Sequence, residues 1–297
     1  MIRTTHEIGA SVAMFAGDVE LLRYSYAPGI DEFECRAPFF HPLRDLSGQV
    51  VTANRPHDHR WHKGLAMTAS HLSGQNFWGG GSYLRERGYV DLPTVGSLRH
   101  TGFAEFAAED RPSFVEDLVW VTSGGGKWIE ERRRVAVRDV DVAGGSWTLE
   151  FGTELRNVRG DVLEFGSPTV FGRELAGYCG LFWRGPRSFT GGQVLASGGR
   201  QGQELMGETA DWLAFVGRHD EVDRSSTLLF LPDEATVPQP PHWFVRSVPF
   251  PAVNPSLAFF EPTELAEGAT MALRYRLVIA DQAWDHDRIE RYREEHP

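Results

Sequence analysis

A dense group of ionisable side chains lies at residues 55–65, where the sequence reads RPHDHRWHKGL and holds His57, Asp58, His59 and His62. Imidazole and carboxylate groups are the usual protein ligands of zinc, iron, nickel and manganese. A site with two or three such ligands leaves a coordination position open for substrate or water. The segment is therefore a candidate catalytic metal site. We predict His57, His59 and His62 as ligands of a divalent ion such as Zn, Fe, Mn or Ni.

The spacing of these residues leaves their arrangement open. In an extended strand His57 and His59 would point to the same face, because side chains alternate with a period of two. His62 joins them only if the backbone turns after Arg60, and alternatively Asp58, His59 and His62 converge at a bend. Two other interpretations stay open: a metal-free acid–base site, or a loop of solvated side chains. The HEXXH pattern of zinc proteases is absent from the sequence.

A second candidate segment is SHLSGQNFWGGG, residues 70–81. It combines a histidine and an amide with adjacent aromatic rings. Such rings pack against the C–H faces of a sugar while the polar groups bind its hydroxyls. This composition favours a carbohydrate ligand.

Two further segments complete the set of candidates. Residues 164–189 are rich in glycine and arginine, and Arg184 there is a candidate clamp for an anion or a hydroxyl. Glu261 lies between Phe260 and Pro262, and apolar neighbours raise the pKa of a carboxyl group. We predict substrate contacts from His41, Asn76, Trp78, Trp183 and Arg184, and acid–base roles for Asp58, His71, His100 and Glu261.

The elements that must position these residues are β-strands. Short apolar runs alternate with polar residues and are separated by turns. VEDLVWVTSGGGKWIEERRRVAVRDV, residues 115–140, predicts a hairpin around three glycines, and LAFFEPT, residues 257–263, predicts a strand. AWDHDRIERYREEH, residues 283–296, predicts a short terminal helix. No Gly-rich phosphate loop precedes a helix, so no nucleotide cofactor is expected. The sequence predicts an all-β protein, a large antiparallel β-sandwich with few short helices, in a single domain over residues 1–297.

Composition limits the classes of partner. The 41 acidic and 30 basic residues give a formal net charge of −11, without a dense Lys/Arg run, which argues against nucleic-acid or membrane binding. Cys35 and Cys179 are too few for a disulfide framework and are expected to be free thiols. No signal-peptide core is evident, nor any apolar run near the roughly 20 residues that span a bilayer. We expect a soluble, cytoplasmic protein whose partner is a small-molecule carbohydrate.

Several motifs carry a family resemblance. FFHPLRDLSGQVVT, DHRWHKGL, SHLSGQNFWGG and AGYCGLFWRGPRSF resemble the bacterial family labelled PmoA, or methane-oxygenase-like, in its actinobacterial branch, from about residue 36 to about residue 284. The family pattern D-H-P-H-H-x-G aligns with Asp58, His59 and His62, whereas Arg60 and Trp61 depart from it. The resemblance implies a β-sandwich similar to the supersandwich of galactose mutarotases, and an association with sugar metabolism.

These observations predict a carbohydrate-active enzyme, a lyase, hydrolase or epimerase that acts on a sugar, glycoside or keto-sugar. A metal held by His59 and His62, with Asp58, His57 or His71 as the third ligand, would polarise a carbonyl or hydroxyl group.

His100 or Glu261 would then be the base. The alternative is a metal-free enzyme similar to aldose epimerases, with a histidine acid and Glu261 as base. A non-catalytic carbohydrate-binding module and an iron(II) oxygenase also stay open.

Overall fold

Strands form through almost the whole chain, as the alternating pattern predicts. The computed structural model describes residues 2–233 and 240–297. Within them, one α-helix, α1 (His286–Glu295), lies near the C-terminus, and short 3-10 helices cover Glu32–Glu34, Arg187–Phe189, Ser197–Gly199 and Gln203–Leu205. The strands of the described residues are β1 (Ile2–Glu7), β2 (Ser11–Ala16), β3 (Val19–Ser25), β4 (Phe39–Leu43), β5 (Leu65–Leu72), β6 (Gln75–Phe77), β7 (Ser82–Leu84), β8 (Gly88–Val90), β9 (Ser97–Ala107), β10 (Ser113–Val121), β11 (Lys127–Asp141), β12 (Ser146–Asn157), β13 (Leu163–Gly166), β14 (Gly180–Arg184), β15 (Gln193–Ala196), β16 (Arg200–Gln201), β17 (Leu213–Arg218), β18 (Ser225–Pro232), β19 (His242–Arg246), β20 (Ala252–Ser256), β21 (Thr263–Leu265) and β22 (Thr270–Ala280).

These strands form two large antiparallel sheets. The first has the order β1-β2-β3-β4-β5-β14-β20-β19, and β6, β13 and β21 pair beside β5. The second has the order β16-β15-β17-β18-β22-β12-β11-β10-β9, and β7 with β8 forms a separate small hairpin. The predicted all-β class and large antiparallel sandwich are confirmed.

The core lies between the two sheets and is built by strand alternation. Leu149 of β12 in the second sheet and Leu181 and Trp183 of β14 in the first belong to the same cluster of buried residues. Because successive side chains of a strand point to opposite faces, Phe182 and Arg184 lie on the other face of the first sheet. That outer face carries the site described below.

The predicted hairpin is confirmed, since β10 pairs with β11 across the glycine turn. The terminal helix is also confirmed, and its N-cap is Asp285, whose carboxylate accepts a hydrogen bond from the Arg288 amide at 2.8 Å.

The strand predicted at LAFFEPT is wrong. Residues 257–262 form a bend between β20 and β21, and Pro262 at its end has no amide N–H to donate to a neighbouring strand. No helix in the described residues is long and apolar enough to cross a membrane.

Candidate active site

A cavity of about 330 Å³ opens on the outer face of the first sheet. It is walled by aromatic side chains from β14, β19 and the surrounding loops: Trp61, Trp78, Tyr178, Phe182, Phe244 and Phe250. The polar groups that line it are His59, His62, Tyr89, Asp91, Arg173 and Arg246. The apolar walls suit the C–H faces of a small ring, and the polar groups offer directional hydrogen bonds.

The loop at residues 55–65 enters this cavity as a bend. The amide of Arg55 donates to the carbonyl of His62 at 2.8 Å, and the amide of His62 donates to the carbonyl of His59 at 2.9 Å. The backbone is therefore folded back rather than extended. Of the two arrangements that the spacing allowed, the structure shows the bend, which brings His59 and His62 together.

Buried charges hold this loop in place. Lys63 is almost fully buried, and its ammonium donates to the backbone carbonyls of Glu34, at 2.7 Å, and of Cys35. The buried carboxylate of Glu34 pairs with Arg55 at 2.6 Å and with Arg60 at 3.0 Å. The cationic side chains that the sequence places beside the histidines therefore fix the backbone and leave the cavity to other groups.

His59 is oriented by its neighbour Asp58. Its Nδ1 lies 3.1 Å from a carboxylate oxygen of Asp58, and the other oxygen of Asp58 accepts from Arg187 at 2.6 Å. Burial alone would raise the pKa of Asp58, but the hydrogen bond to His59 and the charge of Arg187 lower it below its usual value. Because an ionised carboxylate only accepts, Nδ1 of His59 is the donor in this contact, and Nε2 is the nitrogen that accepts in the neutral form of the ring.

His62 has the opposite arrangement. It is buried, and its Nδ1 lies 3.1 Å from the guanidinium of Arg184. Burial, reinforced by the positive charge of Arg184, holds the pKa of His62 well below its usual value, so the ring is neutral. Since a guanidinium can only donate, Nδ1 of His62 accepts and the proton of the neutral ring is on Nε2.

The two rings form a complementary pair. Their centroids are 4.7 Å apart, and both rings line the cavity. His59 offers a proton acceptor and His62 offers an N–H donor. A base and a hydrogen-bond donor at this separation can remove a proton from a substrate while stabilising the negative charge that develops on a nearby oxygen.

The same hydrogen bonds bear on the predicted metal site. A metal-bound imidazole normally donates its other N–H to an acceptor. Here Nδ1 of His62 faces Arg184 and Nδ1 of His57 lies 3.2 Å from Arg187, so both nitrogens meet donors. Over the residues that the structure describes, no three His, Cys, Asp or Glu side chains are grouped so that they could hold a metal. The predicted ligand set of His57, His59 and His62 does not fit this arrangement, and metal binding stays a prediction.

Asn76 organises the cavity rather than lining it. Its buried amide oxygen accepts from the backbone N–H groups of Trp78 and Gly79 at 2.8 and 2.9 Å, and its amide nitrogen donates to Gly80 at 3.1 Å. Gly79 and Gly80 have positive φ, and a Cβ on Gly80 would lie 2.6 Å from the ring of Trp61. Asn76 is therefore not among the residues that line the cavity, whereas Trp78 is, and the substrate contacts of both stay predictions.

Two other predicted substrate contacts lie away from the cavity. Trp183 belongs to the core between the sheets, where its indole donates to the carbonyl of Val51 at 2.9 Å. His41 bonds to the hydroxyl of Thr52 at 2.9 Å, and burial, with the charge of Arg44, lowers its pKa to about 4. Strand alternation explains the position of Trp183. Since Arg184, the next residue of β14, faces the site, Trp183 must face the core.

The remaining acid–base candidates are also elsewhere. His71 packs on Phe171 with ring centroids 4.2 Å apart, at the β5–β6 turn. His100 lies on the second sheet, where it bonds to the buried carboxylate of Glu116 at 2.7 Å. Glu261 is exposed in the bend after β20. None of the three lines the cavity, whereas His59 does.

Sequence reasoning assigned no role to several residues that line the cavity, among them Tyr89, Arg173 and Arg246. The alternation of β19 could have identified two of the lining residues, because Trp243 faces the core and Phe244 and Arg246 therefore face the site. Tyr89 lies on the small β7–β8 hairpin, where it accepts a hydrogen bond from Arg173 and lies 2.5 Å from the hydroxyl of Tyr178. No local pattern predicts that long-range contact.

Comparisons with solved structures give weak likenesses. An α-galactosidase from Lactobacillus brevis is 9% identical, with a TM-score of 0.38 over 95% of this chain and 40% of that one. A TPR-domain protein from Parabacteroides distasonis is 13% identical, with a TM-score of 0.22 over 93% of this chain and 48% of that one. This chain thus spans less than half the length of either, and neither likeness bears on function.

At the level of sequence, no curated protein matches this chain. The resemblance to the methane-oxygenase-like family stays a prediction, because none of these comparisons tests it. One family model matches residues 11–294, nearly the whole chain. The chain therefore belongs to DUF6807, a family of unknown function.

Proposed function

We propose that this protein is a carbohydrate-active enzyme that transfers protons at a carbon next to a carbonyl group, as in the epimerisation or elimination of a sugar or keto-sugar. The observation that carries the proposal is that two adjacent rings in one cavity have opposite hydrogen-bond partners, a carboxylate for His59 and a guanidinium for His62. Asp58 fixes the proton of His59 on Nδ1, and Arg184 fixes that of His62 on Nε2. The complementary pair is set before any substrate binds.

The chemical step follows from this pair. Nε2 of His59 takes the proton from the carbon next to the carbonyl, and the electron pair of that C–H bond moves to give an enediolate. The Nε2–H of His62 donates a hydrogen bond to the oxygen that gains the negative charge. A proton from water on the opposite face gives the epimer, and His59 then releases the proton it took to solvent. Elimination results instead when a hydroxyl on the next carbon leaves as water with the proton from His59. Neither outcome requires an oxidant.

The surroundings of the pair support a sugar as substrate. Trp78 and Tyr178 are stacked with ring centroids 5.0 Å apart, and Phe182 meets Trp78 edge to face at 4.4 Å. These rings supply flat apolar walls, and the hydroxyls of Tyr89 and Tyr178 offer partners for sugar hydroxyls. A cavity of about 330 Å³ is at the small end of ligand sites, which suits one sugar ring.

The test is isotope exchange. Neutral aldoses, keto-sugars and sugar acids are incubated with the protein in D2O, and NMR follows the loss of the proton next to the carbonyl and the appearance of epimer or elimination product. His59→Ala should slow the exchange about 10²- to 10⁴-fold, the usual contribution of a general base. His57→Ala is the matched control, since His57 is exposed on the same loop and does not line the cavity.

Three results would decide against the proposal. They are exchange with none of the sugars, an equal rate in His59→Ala, or binding of a sugar without any turnover, which indicates a binding module. Chelated protein is assayed in parallel with protein reloaded with Zn, Fe, Mn or Ni. Activity that is lost on chelation and restored by one ion would replace the metal-free mechanism with the metal-assisted one.

A further inference from the structure

The arginines around the cavity differ from their neighbours in one respect. Arg55 pairs with Glu34 and Arg187 pairs with Asp58, both at 2.6 Å. Arg173, Arg184 and Arg246 have no carboxylate within ion-pair distance among the residues that the structure describes. The arginines that hold the loop have their counter-charges, whereas those at the cavity have none.

Arg246 shows the difference most clearly. Its guanidinium lies over the rings of Phe244 and Phe250, at 5.3 and 5.8 Å from their centroids. Burial, together with the nearby charge of Arg173, lowers the pKa of Arg246. Arg173 and Arg246 line the same cavity, whose walls are largely aromatic, so two like charges face one partly apolar space. Holding them there costs free energy unless an anion binds between them.

Arg184 adds a third positive charge behind His62. It is fully buried, and its Nε and Nη2 make no hydrogen bond in the described part of the chain. Asp91 is the one acidic residue that lines the cavity among those described, and it is exposed. The cavity is thus locally positive in a chain whose formal net charge is −11. A local charge of this sign selects negatively charged ligands and steers them to the site.

We infer that the substrate of this site carries an anionic group, which Arg173 and Arg246 bind while His59 and His62 act on the sugar carbon. The inference rests on the proposed function and specifies its substrate class as a sugar acid or a sugar phosphate. A guanidinium donates two parallel hydrogen bonds to a carboxylate or a phosphate. Arg173 and Arg246 would fix the anionic end, so that the reacting carbon lies at the histidine pair.

The test is calorimetric titration of the whole chain with glucuronate, glucose 6-phosphate and glucose. We expect an anionic sugar to bind at least about 10-fold more tightly than glucose, and Arg246→Met and Arg173→Met to remove most of this preference. Arg218→Met is the control, because Arg218 is exposed at the end of β17. The tighter of the two anionic probes identifies the group as carboxylate or phosphate.

Equal affinity for glucose and both anions would overturn the inference, as would unchanged anion binding in both Arg246→Met and Arg173→Met. The two proposals fail separately, because binding of the anion does not need the base. His59→Ala should keep the preference for the anionic sugar over glucose, because Arg173 and Arg246 remain in place. If the protein binds the anion but exchanges no isotope, the proposed reaction is wrong and the anionic substrate class is kept. If it exchanges neutral sugars rapidly and Arg246→Met does not affect the rate, the anionic substrate class is wrong and the proposed reaction is kept.

Discussion

Two arginines are completely buried, Arg133 in β11 and Arg184 in β14, and they differ in the number of partners that surround their charge. Arg133 donates to the carboxylate of Glu131 at 2.7 Å and to the hydroxyl of Tyr24 at 2.9 Å, and Tyr24 in turn bonds to Glu116. Burial alone would lower the pKa of Arg133, but the negative charges of Glu131 and Glu116 raise it above its usual value. This arginine is held by a compensated network inside the sandwich.

Arg184 has no such network. Its polar contact in the described structure is with His62, and its guanidinium lies 3.8 Å from the ring centroid of Phe250. Burial lowers its pKa to about 10, and the attraction of Asp58 does not offset this. A buried charge with its partners stabilises one fold, whereas a buried charge without them is available to orient a catalytic group and attract a ligand.

The largest expected effect is on the compensated arginine. Arg133→Met leaves Glu131 buried without its counter-charge, and should lower the free energy of unfolding by about 3–5 kcal/mol, measured by urea unfolding. Arg132→Met is the control, because Arg132 pairs with Asp117 on the surface at 3.1 Å, where solvent screens the pair, and its loss should change the stability far less. The double variant Arg133→Met/Glu131→Leu should recover part of the loss. Equal effects of the two single variants would contradict the comparison.

Arg184→Met should change stability little. It removes a desolvated charge and leaves no carboxylate unpaired, so the free energy of unfolding should stay within about 1 kcal/mol of the wild type. The proton on His62 is then no longer fixed on Nε2, so isotope exchange should fall about 10²-fold, measured by NMR in D2O. A loss of stability as large as that of Arg133→Met, with exchange unchanged, would break the distinction between the two arginines.

The smallest expected effect is a dependence of stability on pH. The pKa of His62 is lowered in the folded protein by burial and by Arg184, so below its ordinary value of about 6.5 the unfolded chain binds a proton that the folded chain does not. The free energy of unfolding should therefore decrease as the pH falls below about 6.5. Urea unfolding between neutral and mildly acid pH should show a shallower decrease in His62→Asn, with the exposed His57→Asn as control. An unchanged pH dependence in His62→Asn would contradict the charge environment described here.

The sequence predicted the strands well because their signal is local. Alternation of apolar and polar residues identified the β10–β11 hairpin, and the polar stretch at residues 283–296 identified α1. The error at residues 257–262 has a local cause too, since an apolar run reads the same in a strand and in a buried bend. The candidate site was found in part, because the histidine loop stands out by composition while its partners come from distant segments.

The sequence by itself determined that this chain forms an antiparallel sandwich, and that residues 55–65 concentrate groups able to transfer protons. Only the tertiary structure decided which groups act together. It placed Arg184 rather than Trp183 beside His62 and His100 on the second sheet. It also gave His59 and His62 opposite hydrogen-bond partners, a carboxylate for one and a guanidinium for the other. The physical reason is that a tautomer or a pKa depends on donors and charges within a few ångströms, and the fold brings those from residues more than 100 positions away.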